Sequence, residues 1–121
     1  METARVVPDN RSEVLHELNV VLERIETLLG GSPPVVELER TLTDGYATAL
    51  ALEGERIRIE RKMDGVAAGI EADPQGAQEL SSLAERRAKL DRDLRHLRER
   101  LGLLKERTRE LRAVVPQPGL S

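Results

Sequence analysis

The chain is 121 residues long, 39% hydrophobic and 34% charged with a net charge of −3, yet it has one aromatic residue, Tyr46, and no Phe, Trp or Cys. Charge well above the ~25% of ordinary soluble domains, beside a core supply of Leu, Val, Ile and Ala, is the profile of long amphipathic helices, whereas a sheet protein would carry more aromatics. The absence of cysteine excludes a disulfide framework and a thiolate zinc site.

Residues 1–11 are expected to be a flexible N-terminus, with no basic region followed by an apolar stretch of the kind that marks a secretory signal. No 18-residue apolar run offers a membrane span, so a cytoplasmic location is expected. Arg outnumbers Lys sixteen to three, which we read as the codon bias of a GC-rich bacterial genome.

Residues 12–115 read as one all-helical domain. The first helix is expected over about 12–29, where Val14, Leu18, Val21, Leu22, Ile25, Leu28 and Leu29 recur at helical spacing and Asn10 with Glu13 resembles a capping box. Gly30-Gly31-Ser32-Pro33-Pro34 then forms a short corner, with Ser32 as the expected N-cap and Pro33 as the expected first residue of the second helix.

The second helix, about 35–71, carries one heptad row at Val35, Leu42, Ala49, Arg56, Met63 and Ile70 and another at Leu38, Gly45, Leu52, Ile59 and Val66. The third, about 80–115, has leucine every seventh residue at Leu83, Leu90, Leu97, Leu104 and Leu111, interleaved with Leu80, Arg87, Leu94, Leu101, Thr108 and Val115. Such rows predict a long antiparallel coiled-coil hairpin, all-α in class, turning at Ala72-Asp73-Pro74-Gln75-Gly76. Gly45 opposite Thr108 is a thin spot in the seam, and the Thr43-Asp44-Gly45 sequence leaves both a continuous and an interrupted second helix open. Residues 116–121 should fray.

Charge sets the register. Residues 35–72 hold five basic and eight acidic groups, and residues 76–113 hold eleven basic and seven acidic. The best register places Leu42 opposite Leu111, Gly45 opposite Thr108, Ala49 opposite Leu104, Leu52 opposite Leu101, Ile59 opposite Leu94 and Met63 opposite Leu90. It brings Glu39 to Arg112, Glu53 to Arg98, Glu55 to Arg100 and Lys62 to Asp93, with Glu60 beside Asp91 as the one repulsive pair.

Apolar residues remain outside this seam. Tyr46, Leu50 and Ile57 form a second stripe on the middle helix, and the first helix is apolar along both Val14-Val21-Leu28 and Leu15-Leu22-Leu29. These faces need cover. The first helix can fold onto its own hairpin as a three-helix bundle or cross to a partner's; because ~18 residues cannot cover a hairpin more than twice their reach, the favoured assembly is a homodimer forming a four-helix-type bundle. Its interface would use Tyr46, Leu50, Ile57, Leu15, Leu22 and Leu29.

Candidate chemistry is sparse. Glu13-x-x-His16 and Asp93-x-x-His96 have the spacing of di-iron bundle ligands, but heptad position puts both histidines on the solvent side, so neither metal nor cofactor is expected. Arg56 and Arg87 occupy core-type positions, as in anion-binding helical enzymes of the chorismate mutase type. In the expected register they lie ~15 Å apart and do not converge. No nucleophile or phosphate-loop motif occurs. The third helix is basic enough to suggest a DNA- or RNA-associated regulator, but acidic residues interrupt it and no aromatics are available for stacking. The reading is a non-catalytic interaction or scaffold module that homodimerises and binds partner helices through an apolar face, with nucleic acid disfavoured and no membrane partner.

Overall fold

A computed structural model describes residues 10–69 and 74–114. The protein is all-helical across these residues: α1 spans Asn10–Leu29, α2 Val35–Ala68 and α3 Gly76–Val114. The expectations for the two termini, for residues 70–73 of the turn and for Val115 fall outside the described residues, as does the Asn10 side chain of the supposed capping box.

At the first corner the amides of Gly30 and Gly31 donate to the carbonyls of Glu26 (3.1 Å) and Leu28 (3.2 Å), closing α1. The entry to α2 differs from expectation. Pro34, in an extended conformation, is the N-cap, and its carbonyl accepts from the amides of Glu37 and Leu38. Pro33 cannot open the helix because a residue that precedes proline is held out of the helical region. The third helix starts four residues earlier than expected, at Gly76, directly after Pro74 and Gln75.

The dominant packing is between α2 and α3. Leu83, Leu90, Leu97 and Leu104 of α3 are buried, Leu111 is half-buried, and Leu94 and Leu101 fill the adjoining row. From α2 they meet Leu38, Ala49, Leu52 and Ile59. Each large side chain contributes ~1.5–3 kcal/mol on burial, so this seam dominates the stability. No break occurs at Gly45. The helix is continuous there, and the glycine is buried against Leu101, whose side chain occupies the space a Cβ would take. Close approach of Leu101, not local bending, explains this glycine.

Helix α1 lies antiparallel to α2 and packs on the hairpin of its own chain. Leu18, Val21 and Ile25 are fully buried, and Val14, Leu15, Leu22, Leu28 and Leu29 pack half-buried around them. Arg24 of α1 bonds Asp44 (2.8 Å) and the Thr41 hydroxyl (3.0 Å) of α2. On the other flank Glu26 receives two hydrogen bonds from Arg100 of α3 (2.6 and 2.8 Å), and Arg107 donates to the Gly31 carbonyl. The start of α1 is level with Ile59 and Leu90, because Leu15 shares a small cavity with them. Three helices thus form the base of the molecule, and α2 and α3 continue past α1 as a two-helix arm.

Candidate interaction surface

Among the described residues four of the seven exposed large apolar side chains lie on the outer face of α2, the others being Val20 of α1 and Leu103 and Val114 of α3. Neighbouring helices flank this α2 face on two sides: α1 is tied to Thr41 and Asp44, and α3 is tied to Glu39 and Glu53 through Arg112 and Arg98. Between these flanks Tyr46, Leu50 and Ile57 are 45, 69 and 48% exposed, and Val36 at the start of the same face is 57% exposed. Thr43, Ala47 and Ala51 are exposed beside them. From Gly45 to Leu52 the sequence holds no charged residue, so the face is apolar in the middle of a chain that is otherwise a third charged.

The six residues expected to form one interface therefore divide. Tyr46, Leu50 and Ile57 are open to solvent, while Leu15, Leu22 and Leu29 pack against the core of their own chain. The cover expected from a second molecule is supplied to the α1 row in cis. The reason is a row that apolar patterning does not reveal. Thr41, Thr48 and Glu55 recur every seventh residue on α2 and are buried, though polar. Thr48 satisfies itself on the Asp44 carbonyl (3.0 Å), Thr41 takes the Arg24 bond, and Glu55 pairs with Arg58. The seven-residue spacing was the available signal, and the polarity of these side chains hid it.

A shallow groove lies where α1 meets this face, floored by Ala47, Ala51 and Gly54 and bordered by Glu13 and Arg58. At Gly54 a Cβ would meet nothing within 4 Å, so the floor is open space.

The ion pairs of the hairpin follow the expected register in part. Glu39 pairs with Arg112 and Glu53 with Arg98. The other two pairs do not form. Arg100 is drawn to Glu26 by the presence of α1, Glu55 pairs within its helix with Arg58, and Asp93 takes Lys89 (2.8 Å) instead of Lys62. The expected repulsion between Glu60 and Asp91 is relieved by the two core-type arginines. The same Glu60 oxygen contacts Arg56 Nε (3.4 Å) and Arg87 (2.9 Å), and Arg56 also reaches Asp91 (3.6 Å). Arg56 and Arg87 therefore do converge, contrary to expectation, and the anion between them is a carboxylate of the protein.

Among the described residues six of the eleven cations of α3 have a carboxylate partner, and four of those partners lie on another helix: Arg87, Arg98 and Arg112 reach α2, and Arg100 reaches α1. Four cations of the basic array thus hold α3 to its neighbouring helices. His16 and His96 are exposed on α1 and α3, and among the described residues no group of three His, Cys, Asp or Glu side chains gathers to hold a metal ion. None of the described helices is long and apolar enough to cross a membrane. No family model, curated protein or solved structure matches the chain.

Proposed function

We propose that this chain is a non-catalytic interaction module of a bacterial cytoplasmic protein, which self-associates and captures partner helices through the outer face of α2. One observation carries the reading: with α1 and α3 already packed, Tyr46, Leu50 and Ile57 still stand 45, 69 and 48% exposed. A row of exposed large apolar side chains on one helix face supports a binding role, and a helical face with anchors at i, i+4 and i+11 suits a helical partner. Tyrosine is among the residues that most often dominate the binding energy at such sites.

The test is the triple variant Tyr46→Ala, Leu50→Ala, Ile57→Ala. All three side chains lie outside the buried core, so helicity and thermal stability should be retained while sedimentation shifts toward the monomer and helix capture is lost. A variant that self-associates and captures helices like the wild type would remove this face from consideration. Retention on heparin that falls with added salt would instead favour a nucleic-acid role for α3.

A further inference from the structure

The uncovered face of α2 is complementary to itself. Its outward positions alternate at spacings of four and three residues: Val36, Arg40, Thr43, Ala47, Leu50, Gly54, Ile57, Arg61, Asp64 and Ala68. That is the spacing of a helix–helix seam, here on the side of α2 that faces neither α1 nor α3. Large and small residues alternate along its middle, with Leu50 and Ile57 prominent and Ala47 and Gly54 forming the floor of the groove.

We infer that the occupant of this face is the same face of a second copy, packed antiparallel, with Leu50 of each molecule seated over Gly54 of the other. The inference rests on the reading of α2 as an interaction surface and specifies its partner and register. In this register Ile57 lies opposite Ala47 of the second copy and Val36 opposite its Ala68. Every large aliphatic meets a small residue, and the two helices approach closely, near the lower end of the ~8–10 Å separations found between packed helices. Thr43 lies opposite Arg61, whose stem can cover it while its guanidinium stays in water.

Charge selects this register over its neighbours. Arg40 falls opposite Asp64 of the second copy, and two-fold symmetry makes that pair twice. Asp64 is exposed, and among the described residues Arg40 has only a loose contact with Glu37, 3.7 Å away on its own helix, which leaves both side chains available for a pair across the interface. Sliding one heptad in one direction sets Arg40 on Ile57 and Arg61 on Val36. Sliding in the other sets Arg61 on Leu50 and Asp64 on Ala47. Each slip presses a charge onto an apolar residue and forfeits the Arg40–Asp64 pairs.

The chain contains no cysteine, which makes a crosslinking test clean. Leu50→Cys and Gly54→Cys chains are prepared separately, mixed and mildly oxidised. The mixture should form a disulfide-linked dimer roughly tenfold faster than either chain alone, because docking raises the local thiol concentration only for the mixed pair. In sedimentation the wild type should be a dimer and Gly54→Leu a monomer of unchanged helicity, since the monomer has open space at Gly54. Arg40→Asp should weaken the dimer by roughly threefold to tenfold, and Arg40→Asp with Asp64→Arg should restore it. A dimer that survives Gly54→Leu and gives no preferential mixed crosslink overturns this arrangement while leaving self-association in place. A wild-type monomer at micromolar concentration overturns the arrangement and self-association together, and capture of helical peptides, lost in the triple alanine variant, would then be the remaining support for the face.

Discussion

Gly45 and Gly102 are both glycines inside long helices, and the chain gives them opposite roles. At Gly45 an added Cβ would overlap the Leu101 side chain, whereas at Gly102 it would meet nothing within 4 Å. Glycine costs ~1 kcal/mol against alanine in a helix interior. Gly102→Ala should therefore raise stability by about 0.5–1 kcal/mol in urea denaturation. Gly45→Ala gains the same backbone term but must displace Leu101 in a packed seam, where overpacking costs ~1–3 kcal/mol. The expected result is a net loss of about 1 kcal/mol, smaller if Leu101 is shortened at the same time. Sequence alone marked Gly45 as exceptional because it interrupts an apolar heptad row. It left a kink open since nothing in a one-dimensional pattern says that a leucine from another helix fills the gap.

At the scale of elements, the hairpin was legible and the site of its third helix was not. Leucines repeating every seventh residue report a buried seam directly, and opposite charge on the two helices reported the Glu39–Arg112 and Glu53–Arg98 pairs. The docking of α1 buries Thr41, Thr48 and Glu55; Thr48 and Glu55 find partners within α2, while Thr41 takes its bond from Arg24 of α1, a contact visible only in three dimensions. That missing row also made the α1 leucines look available to a second molecule. Ile25 is 0% exposed at the centre of this packing, so Ile25→Ala should cost ~2–5 kcal/mol, measured as a drop in denaturation midpoint. A comparable hydrophobic truncation at Val36, which is 57% exposed, should cost far less.

The Arg56, Glu60, Arg87 and Asp91 cluster belongs to the same scale. Its side chains are 35–41% exposed, so water and salt screen it and each pair is worth only ~0.2–1 kcal/mol. Its main effect is to fix how α2 and α3 align. Glu60→Gln removes the charged acceptor that both arginines share, and should destabilise by about 1 kcal/mol at low ionic strength. The loss should shrink in high salt, where the Debye length falls to ~3 Å at 1 M. Denaturation at two salt concentrations checks the sign of that trend.

For the whole molecule the important contrast is between a three-helix base and a two-helix arm. Residues of the base, such as Leu38, Leu52, Leu97 and Leu104, are at or near complete burial, while in the arm no described residue beyond Ile59 on α2 is buried and α3 contributes only Gly76 and Leu83 before Leu90. Local opening free energy follows the density of buried apolar contacts. Amides near Lys62 and Arg86 should exchange with deuterium well before those near Leu52 and Leu101, and uniform protection along both long helices would refute the contrast. Composition foretold an all-helical protein, and periodicity foretold its longest contacts. The position of the open face on α2 depended on knowing which side α1 takes.

Tyr46 has a consequence of a practical kind. It is the chain's single aromatic residue, and it stands on the uncovered face. The near-ultraviolet absorbance and intrinsic fluorescence of the protein therefore originate at one point on one surface. Any molecule that settles on that face alters the solvent around the only chromophore present, so docking is observable by tyrosine emission without a label, while events elsewhere on the protein are optically quiet.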